Sequence, residues 1–310
     1  MDSVSRLVRL ARLRGEIDVR CLMAGGFAID HPPAGPGLVP FHLVLAGTCT
    51  ITSAAFTADL KPGDLLLLPQ GDAHQVTTTS DQRLEFTEAR GRSFSTRRTT
   101  GAAPELDLFC GHYRVDEGAG ALLFRLMPRV VHVSLDQPAL ALAEILRREA
   151  TFDGPGTGVI VSALLDALLA MALRSRSGRR PDTPELWTAI GDDVLGKVIC
   201  AVVDRPGEAW TIDRLAAAAS MSRATFLRRF NARTGTTVAT LLTGIRMMVA
   251  ADLLTGSDHS VSRVAREVGY RSDSAFGQAF RAALGVLPSQ YRKQIRHPEP
   301  SSGTSSNGPQ

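Results

Sequence analysis

Apolar and polar positions follow three different rhythms along this chain, and the changes of rhythm mark its parts. In residues 1 to about 15, Leu7, Val8, Leu10 and Leu13 are interleaved with Arg6, Arg9, Arg12 and Arg14 at helical spacing, which predicts a short amphipathic helix. From Val19 to about Val133 the rhythm shortens to β-type runs such as Phe41-His42-Leu43-Val44-Leu45, Leu65-Leu66-Leu67-Leu68 and His74-Gln75-Val76-Thr77. Gly and Pro punctuate these runs at 32–37 and at Lys61-Pro62-Gly63-Asp64. Many short strands with turn chemistry between them predict a small barrel or sandwich. Helical spacing returns from Pro138 to about Ala150 and from Val159 to about Arg174, the second helix apolar on much of its circumference. The stretch Arg174 to Pro184 is polar, basic and contains Gly and Pro, so it reads as a linker. Helical patterns resume near Leu186 and continue to Arg296, and the tail 297–310 is too rich in Pro, Gly and Ser to pack. The expected architecture is α+β in two domains. Residues 1–178 form a β-barrel with flanking helices, 179–187 a linker, 188–296 an all-α domain, and 297–310 a disordered tail.

The all-α third repeats one plan twice. Thr211 is placed to N-cap a helix of about Ile212–Ala219, a turn at Ser220-Met221 follows, and Ser222 caps a second helix from Arg223 to about Arg233. Phe226 and Phe230, four apart, form its inner stripe, and Gly235 stops it. About fifty residues later, Val261–Val268 makes a first helix, Gly269 the turn, and Ser272 caps a helix with Phe276 and Phe280 inside. A longer helix from Val238 to about Leu254 joins the two units and would fix them relative to each other. These are two helix-turn-helix units in tandem.

Charge supports that reading. The net charge of +4 hides an uneven split: Ser222 to Arg296 holds 12 Lys/Arg against 4 Asp/Glu, a net of +8, so the remainder is −4. Positive charge lies where a phosphate-facing surface requires it. No apolar run is expected to reach the length needed to span a bilayer, the arginines of the first helix exclude a signal peptide, and a cytoplasmic protein is expected. The four scattered cysteines, Cys21, Cys49, Cys110 and Cys200, include no CxxC pair and suit a reducing compartment.

The second unit carries a longer signature: Val268-Gly269-Tyr270, Ser272, Phe276, Phe280, Gly285 and Pro288-Ser289-Gln290-Tyr291-Arg292. With it, the C-terminal third resembles the DNA-binding domain of the AraC/XylS family of bacterial transcription regulators. The resemblance implies two recognition helices in successive major grooves, roughly one helical turn (~34 Å) apart. Carried over by position, base-reading sites fall on Ala224, Leu227 and Arg228 in the first unit and on Asp273, Ser274 and Gln278 in the second. Arg223 and Arg229 are cast as phosphate contacts, and Leu227 is equally readable as partly buried packing. Gln278 stands where family members often carry arginine, and Asp273 would repel phosphate, so the second unit is expected to bind more weakly.

In the N-terminal half, Gly63 to His74 (GDLLLLPQGDAH) resembles the second motif of the cupin barrels, whose histidine faces the barrel interior. Of the first motif this chain offers only His42, with Val44 where a second histidine would be. The region is similar to the cupin-type sensor domain of one AraC branch, with Cys110-Gly111 and His112 following a strand Leu106–Phe109. His42, His74 and Cys110 are therefore candidate ligands for a divalent metal, or else polar lining of a ligand pocket. Cys21 and Cys110 are candidate redox thiols.

The expected function is a DNA-binding transcription regulator whose barrel senses a small molecule, a metal or a redox signal. Promoter DNA, RNA polymerase, the effector and a second copy of the chain are its expected partners, with no membrane. The second copy would pair through Ile160, Leu164, Leu165, Leu168 and Met171. The alternative is a cupin metalloenzyme with an appended DNA-binding domain, which the degenerate first motif disfavours.

Overall fold

In the computed structural model, residues 3–80, 82–115, 120, 122, 124, 127–176, 189 and 192–296 are described. The expected linker at 179–187 and the tail 297–310 lie outside the described residues. Helix α1 (Ser3–Ala11) leads into strand β1 (Arg14–Met23). The strands that follow are β2 (Ala28–His31), β3 (Leu38–Ala46), β4 (Cys49–Ser53), β5 (Thr57–Leu60), β6 (Asp64–Leu67) and β7 (His74–Thr77). The last four are β8 (Phe86–Arg90), β9 (Ser95–Thr99), β10 (Leu106–Arg114) and β11 (Val131–Ser134). One sheet runs β11-β6-β3-β10-β1-β9-β8, and the other β2-β7-β4-β5.

The leucine run explains how the strands serve two cores. A strand sends successive side chains to opposite faces. Leu65 and Leu67 join the larger core, while Leu66 and Leu68 enter the smaller one between the sheets with Val44, Ile51, Val76, Leu108, Cys21, Cys49 and Cys110. Both faces of β3 and β10 are covered, so these strands read as continuous apolar runs rather than alternating ones. The strand expected to end at Phe109 therefore continues to Arg114, and Cys110, Gly111 and His112 lie within it. Gly111 is needed there: a Cβ would stand 2.1 Å from the Glu16 carbonyl oxygen and against the Phe41 ring.

Helices α2 (Gln137–Phe152) and α3 (Thr157–Arg176) pack on the outer face of the larger sheet. Asp136 caps α2, accepting from the Ala139 amide. The Tyr113 hydroxyl donates to the Leu165 carbonyl at 2.7 Å, and Asp166 accepts from the Gly15 amide at 2.9 Å, so α3 is held to β10 and β1. On α3, Leu165 and Leu168 are buried and Leu164 and Met171 are half-buried against the core, whereas Ile160 is 43% exposed. The apolar surface expected to pair with a second copy is thus largely covered by the chain's own barrel.

The C-terminal region contains α4 (Leu195–Asp204), α5 (Ile212–Ala218), α6 (Arg223–Thr234) and α7 (Val238–Gly256). It continues with α8 (Val261–Glu267), α9 (Asp273–Leu284) and α10 (Pro288–Arg296). One sequence expectation is corrected here. By length and composition alone, Thr157–Arg174 and Val238–Gly256 would each cross a membrane. In the protein, 39% and 56% of these windows are buried, α3 against the sheet and α7 between the two helix-turn-helix units. Helix α1 packs on both domains, touching α3, α4 and α7. Arg12 donates to Asp252 at 2.9 Å and to Thr255 at 2.7 Å, and Arg6 donates to the Asp204 carbonyl at 2.8 Å.

Candidate DNA-binding surface and barrel cluster

Each helix-turn-helix unit is built from the same local rules. Thr211, Ser222, Ser260 and Ser272 accept from the amide three residues on, so every one of the four helices starts at a side-chain cap. Gly235 and Gly285, at φ 68° and 79°, close α6 and α9 in the left-handed conformation that favours glycine. Phe226, Phe230, Phe276 and Phe280 are all buried, and each aromatic pair packs ring to ring at 5.6–5.7 Å.

With the phenylalanines inward, the opposite faces of α6 and α9 are open. Ala224, Arg228, Asp273, Ser274 and Gln278 are exposed, and Leu227 is half-buried against the core. Arg223 is exposed and pairs with Asp213 at 3.1 Å. Asp273 accepts from the Ser262 hydroxyl and sits in the first turn of its helix, where the macrodipole favours a carboxylate. Arg229, expected as a phosphate contact, is also engaged within the protein. It pairs with Asp192 at 3.1 Å, which Arg233 also approaches at 3.5 Å. Burial tends to raise the Asp192 carboxyl, but the Leu195 and Val194 amides and Arg229 outweigh it and hold the group at about 2. Arg229 therefore ties α6 to the start of α4.

Sequence reasoning missed Arg246, on the helix joining the units. Its guanidinium donates to the carbonyls of Pro206 and Glu208, both at 2.9 Å, and lies 5.8 Å from the centroid of the Tyr270 ring. One side chain thus touches the approach to the first unit and the turn of the second.

Inside the barrel, the candidate ligands converge, and one more residue joins them. Cys110 and His42 are directly opposite in the β10–β3 register, and His31 and His74 in the β2–β7 register. Facing sheets bring the two pairs together. His42 Nε2 lies 2.8 Å from His74 Nε2, and His42 Nδ1 lies 3.2 Å from Cys110 Sγ. The His31 and His74 rings stack at 4.7 Å with an interplanar angle of 3°, and His42 meets both edge-on. One ligand nitrogen from each of the three histidines lies within 4.8 Å of the others. A cavity of about 430 Å³ reaches the cluster and is also lined by Glu88 and Arg97, which pair at 2.7 Å.

All three imidazoles are held neutral at ordinary pH. Burial lowers His42 and His74, and burial together with the neighbouring His74 lowers His31 to about 4. Of the thiols, Cys21 is lowered by a hydrogen bond from Cys110, aided by Arg97 and opposed by burial. Cys110, as donor, is pushed well up. Burial holds Cys49 at about 12. Cys200 is half-buried on α4, away from this cluster. No sequence motif pointed to His31, which ends the short strand β2 and precedes Pro32-Pro33.

Comparison with known proteins decides the family. The cupin family profile matches residues 2–177, and a helix-turn-helix domain profile matches residues 215–294. The chain belongs to the AraC-type transcription regulators with a cupin domain at the N-terminus. An uncharacterised HTH-type transcriptional regulator of Haemophilus influenzae is 33% identical over 95% of this chain and 99% of that protein. The HTH-type transcriptional regulator MtrA of Neisseria gonorrhoeae is 32% identical, covering 95% and 99%. The RCS-specific HTH-type transcriptional activator RclR of Escherichia coli is 27% identical, covering 97% and 100%. As an AraC-type regulator the chain binds DNA, and the paired helix-turn-helix units are the elements that do so.

Proposed function

We propose that this regulator binds promoter DNA through both units and changes that binding when two thiols in its barrel are oxidised. The observation that carries the reading is that Cys21 and Cys110 lie buried in the same small core of the barrel, on the paired strands β1 and β10, with Cys110 beside His42 and lining a cavity. A two-electron oxidant such as a hydroperoxide transfers its distal oxygen to one sulfur, giving a sulfenic acid. The second thiol then displaces that oxygen as water and forms the S–S bond. The rearrangement reaches the DNA-binding half along packed elements. Strand β10 carries Cys110 and Tyr113, Tyr113 holds α3, and α3 packs on α1, which docks on α7 through Arg12 and Asp252. Coupling of this kind requires that the two states differ in DNA affinity.

On this reading the chain is a cytoplasmic activator that works with RNA polymerase, and it is not an enzyme. The RclR relative is named as an activator, and Val44 stands where the first cupin motif would supply a second histidine. DNA fragments selected from a random pool by the reduced protein supply the operator for the test. Gel-shift affinity is then measured with and without hydrogen peroxide, hypochlorite and diamide. We expect oxidation to change affinity at least tenfold in the natural protein and not in Cys21→Ser or Cys110→Ser. Unchanged affinity under all three oxidants would refute the thiol reading.

A further inference from the structure

The barrel histidines obey a proton count that none of them reveals singly. His74 Nδ1 faces the Asp72 carbonyl at 2.9 Å, and a carbonyl only accepts, so that nitrogen carries the proton. In the neutral ring His74 Nε2 is then a bare lone pair. His42 Nε2, 2.8 Å away, must donate to it, which leaves His42 Nδ1 as the acceptor facing Cys110. Cys110 therefore has one S–H proton and, in His42 Nδ1 3.2 Å away, an acceptor for it.

We infer that His31, His42 and His74 form a binding site for a late first-row divalent cation, with zinc as the reference ion, and that occupancy moves the His42 proton from Nε2 to Nδ1. Neutral imidazoles suit such ions, and a carbonyl-bound Nδ1–H is the usual support for a ligating Nε2. Tetrahedral zinc with bonds of about 2.0–2.1 Å wants its ligand nitrogens roughly 3.4 Å apart. The 2.8 Å contact and the 4.8 Å outer limit bracket that spacing, so the rings need only small shifts. Three histidines leave a fourth position for water, and the adjoining cavity supplies it. His31 lies outside both cupin motifs and completes the set through its pairing with His74. Once His42 Nε2 holds the ion, Nδ1–H faces Cys110 and the cysteine proton loses its acceptor on that ring. Cys110 is then a reporter of the ion and not a ligand.

The inference concerns the same cluster as the thiol reading but does not depend on it, because it is tested on full-length reduced protein without DNA. Zinc is titrated by calorimetry in the presence of a phosphine reductant. We expect one ion per chain, at least tenfold weaker binding in His31→Ala and His74→Ala, and near-natural affinity in Cys110→Ser. Thermal unfolding checks each variant, and His31→Gln replaces His31→Ala if the latter does not fold. Cobalt loading should give the visible bands of a tetrahedral nitrogen site without a thiolate charge-transfer band. In long-range nitrogen–proton spectra, His42 should switch from the Nε2–H to the Nδ1–H tautomer on zinc addition. Undiminished zinc binding in both His31 variants overturns the site. A thiolate band lost in Cys110→Ser, or an unchanged His42 tautomer, overturns the relay. Failure here would leave oxidant-dependent DNA binding intact, and loss of that response would leave the zinc titration unaffected.

Discussion

The two helix-turn-helix units share one scaffold and differ in what they show to DNA. Along α6 and α9 the burial order is matched: Ala224 and Ser274 outward, Phe226 and Phe276 inward, Arg228 and Gln278 outward, Phe230 and Phe280 inward. Charge breaks the likeness. The first unit begins its second helix with Arg223 held by Asp213, whereas the second begins with Asp273 held by Ser262. The aromatic stripe and the caps therefore set the geometry of a unit, and the outward positions vary without cost to it. Affinity should be shared unequally, with the arginines of the first unit contributing more.

The scaffold half of that comparison fails if the inner aromatics are not equivalent. Phe226→Ala and Phe276→Ala should each destabilise the C-terminal domain by about 3–5 kcal/mol, read by denaturant unfolding. A difference greater than about 2 kcal/mol between them would show that the two cores are not alike. Arg246→Ala should come next, at about 3 kcal/mol, since it strips two charge-assisted bonds to carbonyls and the contact with Tyr270. It should weaken binding to DNA carrying both half-sites more than binding to either half-site alone.

The reading half is tested at Arg228 and Gln278. Arg228→Ala should lose roughly 1–3 kcal/mol of specific binding and relax preference at one base position. Gln278→Ala should lose less. Equal losses on selected and random DNA would show that Arg228 does not read a base. Asp273→Asn should strengthen binding and steepen the salt dependence by about 0.9 in log–log slope, as one fewer negative charge faces the phosphates.

The smallest effect is one that acid abolishes. Asp192 is held at about 2, below its ordinary value. Its stabilisation is therefore full above roughly pH 4 and is lost as pH falls from there through 2. Unfolding midpoints of the natural protein and Asp192→Asn should converge across that window and stay apart at pH 7.

Much of this was legible in the sequence because it is local. Caps three residues before a helix, phenylalanines four apart and glycines after a last turn are short-range rules, and they located both units. The barrel was legible as strands but not as register. His42 and Cys110 could be named from motifs, yet that they face each other depends on how β3 and β10 align. His31 was hidden for the same reason: its partner His74 lies 43 positions on, and only the β2–β7 pairing joins them. Asp192 with Arg229 and Arg12 with Asp252 are likewise products of packing between distant segments. The run of leucines in β6 misleads by composition alone, because two cores share it.

Helix α1 has a consequence for the order of events at the ribosome. It is synthesised before the barrel, yet Asp204, Asp252 and Thr255, the partners of Arg6 and Arg12 in the C-terminal half, emerge some two hundred residues later. At a synthesis rate of about 5–20 residues per second, α1 waits on the order of ten seconds or more before those partners exist. The barrel can close in that interval, but the junction between barrel and DNA-binding half is sealed only after α7 has left the exit tunnel. On the proposed coupling through that junction, regulation is thus among the last properties the nascent chain acquires.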